Sequence, residues 1–259
     1  MNIKQELKPS QSLEKALDSR GIKGLIFDLD NTVFETDTYY ISKKDKAYLE
    51  VATKYPYKNL TPLETAQKVS DEVHRKFLER KCKPLPVIVE YEEGLKDFYG
   101  SEFNHGMTEI LENHFKDFYK NSPEIYPEAI SVFDFFFKYL KISFFAANTL
   151  ADIEWTQIKI ENMKKQFGIR DLPFFTTDID RPKDWKAPIE GALSKGIELH
   201  ELLVVGDSLD SDILPAISLG IKHLIWIDRR NAFSKIENLS SKDIDLIVVK
   251  NISDIWNIK

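Results

Sequence analysis

The chain is nearly without cysteine: Cys82 is the one thiol in 259 residues. A single cysteine cannot close a disulfide within the chain, and it suits a reducing cytoplasm. No apolar run approaches the roughly 18 residues that a membrane span needs. The opening stretch, MNIKQELKPSQSLEKALDSRG, lacks the apolar centre of a secretory signal. A basic excess is missing too, since 36 Lys and Arg face 42 Asp and Glu for a net charge of −6. That balance speaks against a nucleic-acid partner. Internal repeats and low-complexity segments are absent. What remains is a chain that is 42% apolar, enough for a full core, so disorder is set aside. At 30.1 kDa it can hold one large domain, or a core with a smaller partner. The expectation is a soluble cytoplasmic protein with no membrane and no nucleic acid among its partners, its oligomeric state open.

Residues 1–20 read as a short helix, with Leu13, Ala16 and Leu17 at helical spacing and Gly21 as the stop. Lys23 to Leu29 then forms a dense apolar run ending in acids, as a buried parallel strand does. From about Tyr39 to Asn121 the chain turns rich in Lys, Glu and Tyr with helical periodicity. Thr61-Pro62-Leu63-Glu64 makes a capping box with proline at the first helical position. Leu63, Ala66, Val69, Val73 and Phe77 mark its apolar face, and Lys83-Pro84-Leu85-Pro86 breaks it. Two more helical stretches follow, near Val89–Tyr99 and Met107–Lys120. Beyond Pro123 an α/β rhythm takes over. Helices are expected over Glu128–Leu140, up to Phe167, over Pro188–Lys195 and over Asp212–Leu219. Strands are expected over Ile142–Ala147, Phe174–Thr176, Leu202–Val205, His223–Ile227 and Leu246–Val249. Such alternation implies right-handed crossovers and a doubly wound, mostly parallel sheet.

Ligands of such sheets sit at the carboxyl ends of the strands, and those ends are acidic here. The first strand runs into Asp28-Leu29-Asp30-Asn31-Thr32, the second into Asn148-Thr149. The Leu202–Val205 strand runs into Gly206-Asp207-Ser208-Leu209-Asp210-Ser211-Asp212. Two unit charges about 4 Å apart repel by roughly 4 kcal/mol at an effective dielectric near 20. Carboxylates gathered there either rise in pKa or are neutralised by a metal and a lysine, and Lys183 lies on an intervening loop. Mg²⁺ suits the set because it takes one or two carboxylates, waters and a phosphate oxygen. The spacing of Asp28 and Asp30 puts both on one side of an extended chain. One can attack phosphorus, and the other can protonate the leaving oxygen and later deprotonate water. Thr32 is expected to steady the second acid with a hydrogen bond.

These residues resemble a known family. FDLDNT is similar to the first motif, DxDxT, of the haloacid dehalogenase-like (HAD) superfamily, and VVGDSLDSDI is similar to its fourth, GDxxxxD. Lys183-Asp184-Trp185-Lys186-Ala187-Pro188 resembles the KPxPxP lysine loop without prolines at its second and fourth positions, which leaves Lys186 as an alternative lysine. The resemblance spans about Gly21 to Ile227. It implies Asp28 as nucleophile, Asp30 as general acid/base and Lys183 as the lysine on the phosphate. It further implies Mg²⁺ held by Asp28, Asp207 and the backbone carbonyl of Asp30, with Asp212 orienting Lys183 or a metal-bound water and Asp210 outside the set. Thr32, Asn148, Thr149 and Lys183 would bind phosphate. It also implies a Rossmann-like catalytic core over residues 1–36 and 123–259 and a helical cap over 37–122 that closes over a small substrate. One departure stands out: the second motif ends in Ser or Thr, often before Asn, and the matching pair here is Ala147-Asn148.

The function so implied is that of a Mg²⁺-dependent phosphatase for a small phosphorylated metabolite, working through an aspartyl-phosphate. The alternatives are a sugar phosphomutase and a degenerate, non-catalytic binding protein of the same fold, which Ala147 favours. In the cap, Tyr39, Tyr40, His74, Arg75, Arg80 and Lys81 are candidates for substrate contact against a plain reading as a solvated helical face. Phe133, Phe135, Phe136 and Phe137 are expected in the core. His105 and His114 show no metal-ligand spacing.

Overall fold

The structure, a computed structural model, describes residues 9–79, 87–140, 142–178, 181–229 and 243–258. Arg80, Lys81, Cys82 and the Lys83–Pro86 break fall outside the described residues. The chain divides into two compact units. Met1–Glu35, Glu124–Asp178 and Pro182–Lys259 make one, and Thr36–Pro123 with Ile179–Arg181 make the other.

The first unit is built on six parallel strands: β1 (Gly24–Phe27), β2 (Phe144–Leu150), β3 (Phe174–Thr177), β4 (Leu202–Gly206), β5 (His223–Ile227) and β6 (Asp245–Val249), in the order β3-β2-β1-β4-β5-β6. Strands covered on both faces read as continuous apolar runs, and the side chains divide by the two-residue period. Leu25, Phe27, Leu203, Val205, Ile225 and Ile227 join one buried cluster. Ile26, Leu202, Val204, Leu224 and Trp226 join another on the opposite face. The helices of this unit are α1 (Pro9–Ser19), α6 (Pro127–Lys138), α7 (Ile153–Phe167), α8 (Lys186–Leu193) and α9 (Leu214–Ser218). Phe133, Phe135 and Phe136 of α6 are buried, with Phe133 edge-on to Phe27 at 4.9 Å between ring centroids. Chain order reverses between β1 and β4, and a sheet of this order binds ligands outside the carboxyl ends at that point.

Several boundaries differ from expectation, and β2 matters most. It runs on to Leu150, with Asn148, Thr149 and Leu150 paired to Phe175, Thr176 and Thr177 of β3. Two polar residues there break the apolar run in the sequence, yet both are fully buried. The expected helix over Asp212–Leu219 is a five-residue π turn, Leu209–Ile213, followed by the short α9.

The second unit is helical: α2 (Thr36–Lys54), α3 (Pro62–Glu79), α4 (Val87–Tyr99) and α5 (His105–Phe115). The capping box of α3 is present, as the Thr61 N–H donates to Glu64 at 2.8 Å and the Glu64 N–H to the Thr61 hydroxyl at 3.3 Å. Ala66, Val69 and Val73 are buried, whereas Leu63, expected on the same face, is 72% exposed in the first turn. Tyr39 and Tyr40 pack against Phe118 with their rings tilted to it, and the Tyr39 hydroxyl donates to the Phe118 carbonyl. Arg75 is engaged by Glu72 and Glu79, and His114 contacts Glu50 at 2.7 Å. Among the described residues no helix is long and apolar enough to cross a membrane.

Candidate active site

All residues described below belong to the α/β unit. β1 delivers Asp28 one residue past its end, and the Asp28 N–H still donates to the Val205 carbonyl on β4 at 2.9 Å. The chain then turns sharply. The Leu29 carbonyl accepts from both Val33 and Phe34, and Asn31 takes the left-handed conformation at φ 58°, which asparagine tolerates better than most residues. Gly206 ends β4, Asp207 follows it directly, and the π turn Leu209–Ile213 carries Asp212.

Asp28, Asp207 and Asp212 each offer a carboxylate oxygen, and these three oxygens lie within 4.8 Å of one another. Among the described residues this is the one grouping of acids, histidines or cysteines able to hold a metal ion. Lys183 reaches into it, its Nζ donating to Asp28 at 2.5 Å and to Asp212 at 2.6 Å. All three side chains are nearly excluded from solvent. Three carboxylates against one ammonium leave two negative charges, which one divalent cation cancels. Burial and the neighbouring charges of Asp212 and Asp30 outweigh Lys183 at Asp28, and its carboxyl is pushed up to about 7. Burial also works to lower Lys183, but Asp212 and Asp28 overcome it and hold the ammonium above the ordinary lysine range.

The lysine loop is fixed without its missing prolines. The Asp184 N–H donates to the Thr177 hydroxyl at 2.8 Å, and the Asn148 amide donates to the Asp184 carbonyl at 3.0 Å. The indole of buried Trp185 donates to the Ser211 carbonyl at 2.7 Å, tying the loop to the π turn. Lys186 is exposed at the start of α8, so of these two lysines it is Lys183 that reaches Asp28 and Asp212. Asp210 is exposed and outside the group. Asp212 is aimed by the Ser208 N–H at 3.0 Å and lies against Gly206, where an added Cβ would fall 2.6 Å from the Asp212 Cβ. Gly206→Ala should therefore push Asp212 off its place, with a stability loss of about 1–3 kcal/mol that thermal unfolding will register.

The second acid is held by residues that sequence reasoning did not assign to it. Thr32 is fully buried, and its hydroxyl has no hydrogen-bond partner, so it does not steady Asp30. The Thr149 hydroxyl does so instead, donating to one Asp30 oxygen at 2.9 Å. The ammonium of Lys159 on α7 reaches both Asp30 oxygens at 2.8 Å. The Thr149 hydroxyl thus donates to Asp30 and the Asn148 amide N–H to the Asp184 carbonyl, while the buried Asn148 amide oxygen has no hydrogen-bond partner. The Asp30 carboxylate lies outside the three-acid group. A local sign of Lys159 exists: it falls on the apolar stripe of α7 with Trp155, Ile160, Met163 and Phe167, all buried.

No family model matches the chain, and no curated protein matches it by sequence. Solved structures do match. A haloacid dehalogenase-like family hydrolase from Xanthomonas campestris is 16% identical, aligned over 92% of this chain and 90% of that one at a TM-score of 0.59. The HAD-hydrolase YfnB from Bacillus subtilis, solved bound to magnesium, is 15% identical over 92% and 98%, with a TM-score of 0.55. A HAD phosphatase from Thermococcus onnurineus is 16% identical over 92% and 97%, at 0.51. A dehalogenase solved as an intermediate complex also matches. The chain thus has the fold of the haloacid dehalogenase-like (HAD) hydrolases.

Proposed function

We propose that the protein is a Mg²⁺-dependent phosphatase that hydrolyses a small phosphorylated metabolite through an aspartyl-phosphate on Asp28. The observation that carries this is the set of buried Asp28, Asp212 and Lys183 with half-buried Asp207, whose charge one divalent cation balances. Mg²⁺ suits this all-oxygen donor set. It would be held by Asp28 and Asp207, with the Asp30 carbonyl and with Asp212 directly or through water. When bound it supplies charge stabilisation to the phosphoryl oxygens.

The protein's own groups then divide the work. An Asp28 oxygen attacks phosphorus as the bond to the leaving oxygen breaks, and Asp30 gives that oxygen its proton. Water next attacks the phosphorus of the aspartyl-phosphate, yields a proton to Asp30, and Asp28 is released. The proton that Asp30 takes from water replaces the one it gave to the leaving oxygen, and between the two steps Asp30 is the carboxylate that Lys159 and Thr149 face. Lys183 keeps an ammonium beside the attacking carboxylate. The second acid is what favours this function over dehalogenation, which needs no proton donor to a halide. A screen of phosphorylated metabolites and a haloacid, with and without Mg²⁺, separates the two. Release of phosphate only with Mg²⁺ supports the proposal, and release of halide alone overturns it.

A pH dependence follows from Asp28. Its folded value near 7 lies above the ordinary 3.8, so the folded protein holds this proton more tightly than the unfolded chain. That contribution to stability is complete below about 3.8 and is lost as pH rises through about 7. A divalent cation competes with the same proton. The rise in Tm on adding Mg²⁺ should therefore be larger at pH 8 than at pH 6. Scanning calorimetry of the protein with and without Mg²⁺ at both values checks this.

A further inference from the structure

We propose that Lys159 and Thr149 form a clamp that positions the Asp30 carboxylate, Lys159 acting as a positioning residue for the proposed phosphoryl transfer. The inference rests on the phosphatase proposal only for what Asp30 does. The clamp itself is a matter of geometry. The Lys159 side chain is fully excluded from solvent, and its Nζ lies 2.8 Å from both Asp30 oxygens and 3.9 Å from the centre of the Trp155 ring. From β2, the Thr149 hydroxyl takes one of the same oxygens at 2.9 Å. Two separate elements thus converge on one carboxylate, and each is itself fixed. Thr149 is paired in the sheet with Thr176. Helix α7 is started by Asp152, whose side chain accepts from the N–H groups of Glu154 and Trp155, and Trp155 sits one turn before Lys159.

A buried lysine is not there for stability in the first instance. Burying an ammonium is unfavourable unless it is paired, and a buried pair can often be replaced by apolar groups without loss. Leu or Met at position 159 would continue the apolar stripe of α7. Instead the position holds a cation, and its ion-pair partner is the second acid of the Asp28-Leu29-Asp30 motif. Each acid of that motif therefore has its own buried ammonium, Lys183 for Asp28 and Lys159 for Asp30. An acid/base must place its oxygen within hydrogen-bond reach of the reacting group. A carboxylate free to turn about two bonds spends much of its time elsewhere, and a misplacement of about 1 Å can lower the rate about 10²-fold. The clamp removes that freedom.

The test measures Mg²⁺-dependent turnover of p-nitrophenyl phosphate by wild type, K159M, K159R, T149V, D30N and the double variant K159M/D30N. We expect K159M to lower kcat about 10²-fold with KM within about twofold, and K159R to recover part of it. T149V, nearly isosteric, should lower kcat roughly 2- to 10-fold, as expected for one neutral hydrogen bond. In the D30N background K159M should add little, because the two act as a unit. Full additivity with D30N, or unchanged kcat in both K159M and T149V, overturns the clamp. If K159M does not fold, T149V alone decides by the same criterion. If wild type shows no turnover of any phosphate ester, the phosphatase proposal fails, and the clamp is judged in crystals of T149V. An Asp30 carboxylate turned from its wild-type position supports it, and an unmoved one overturns it.

Discussion

Asp28→Asn should bring phosphate release to background, a loss of at least about 10⁴-fold in kcat, the scale seen when a nucleophile is removed. The change keeps the size of the side chain and removes the oxygen that attacks. It also removes a buried carboxyl that desolvation already penalises, so the fold should survive with little change in Tm. That combination, intact unfolding behaviour with no turnover, separates loss of a nucleophile from general damage. Steady-state release from an aryl phosphate together with thermal unfolding of the same sample provides the check. If Asp28 served only to place a metal-activated water, the amide would keep part of its ability to orient that water, and a partial rate would persist.

Lys183→Met should have the second largest effect, this time on both stability and rate. Lys183 is shared by two carboxylates that are themselves buried. Removing one partner from a buried ionic set is destabilising by about 3–5 kcal/mol, because the remaining charges are left uncompensated. At roughly 2–4 °C per kcal/mol for a chain of this size, Tm should fall by about 10 °C. Mg²⁺ should restore more of that stability in K183M than it adds to the wild type, since it supplies positive charge to the same acids. Turnover should stay low even with Mg²⁺, because the ammonium beside the nucleophile is gone. Paired melting curves and rates at saturating Mg²⁺ test both halves.

The strands were the most legible part of the molecule. β1, β4 and, after His223, β5 are apolar runs buried on both faces of the sheet, and composition alone reveals such burial. The acids at their ends were equally visible, since the chain must turn there and Asp-rich turns after buried strands are conspicuous. β2 was legible only to Ala147. Asn148 and Thr149 look like loop residues, and their burial depends on partners at Asp184 and Asp30 that lie 36 and 119 positions away. No local pattern carries that information.

Lys159 was hidden for a related reason. A lysine among apolar residues of an amphipathic helix reads as a solvated neighbour of the core, and only the fold brings it to Asp30. The choice between Lys183 and Lys186 was open in the sequence because both lie on the same loop. The fold closes it through Trp185 and the Asn148 amide, which hold the loop where prolines would otherwise stiffen it. Thr32 shows the opposite failure: its place in the motif suggested a hydrogen bond to Asp30, whereas the turn at Asn31 leaves its hydroxyl buried elsewhere.

The proposed chemistry requires one divalent cation drawn to oxygens contributed by the turn after β1 and by the turn after β4. Crystals soaked in Mn²⁺, which shares the preference of Mg²⁺ for oxygen ligands and scatters anomalously, address it most directly. A single strong anomalous peak in contact with Asp28 and Asp207, lost in Asp207→Asn crystals, is the expected outcome. An empty site between those acids at millimolar Mn²⁺, with Lys183 still seated between Asp28 and Asp212, would contradict it.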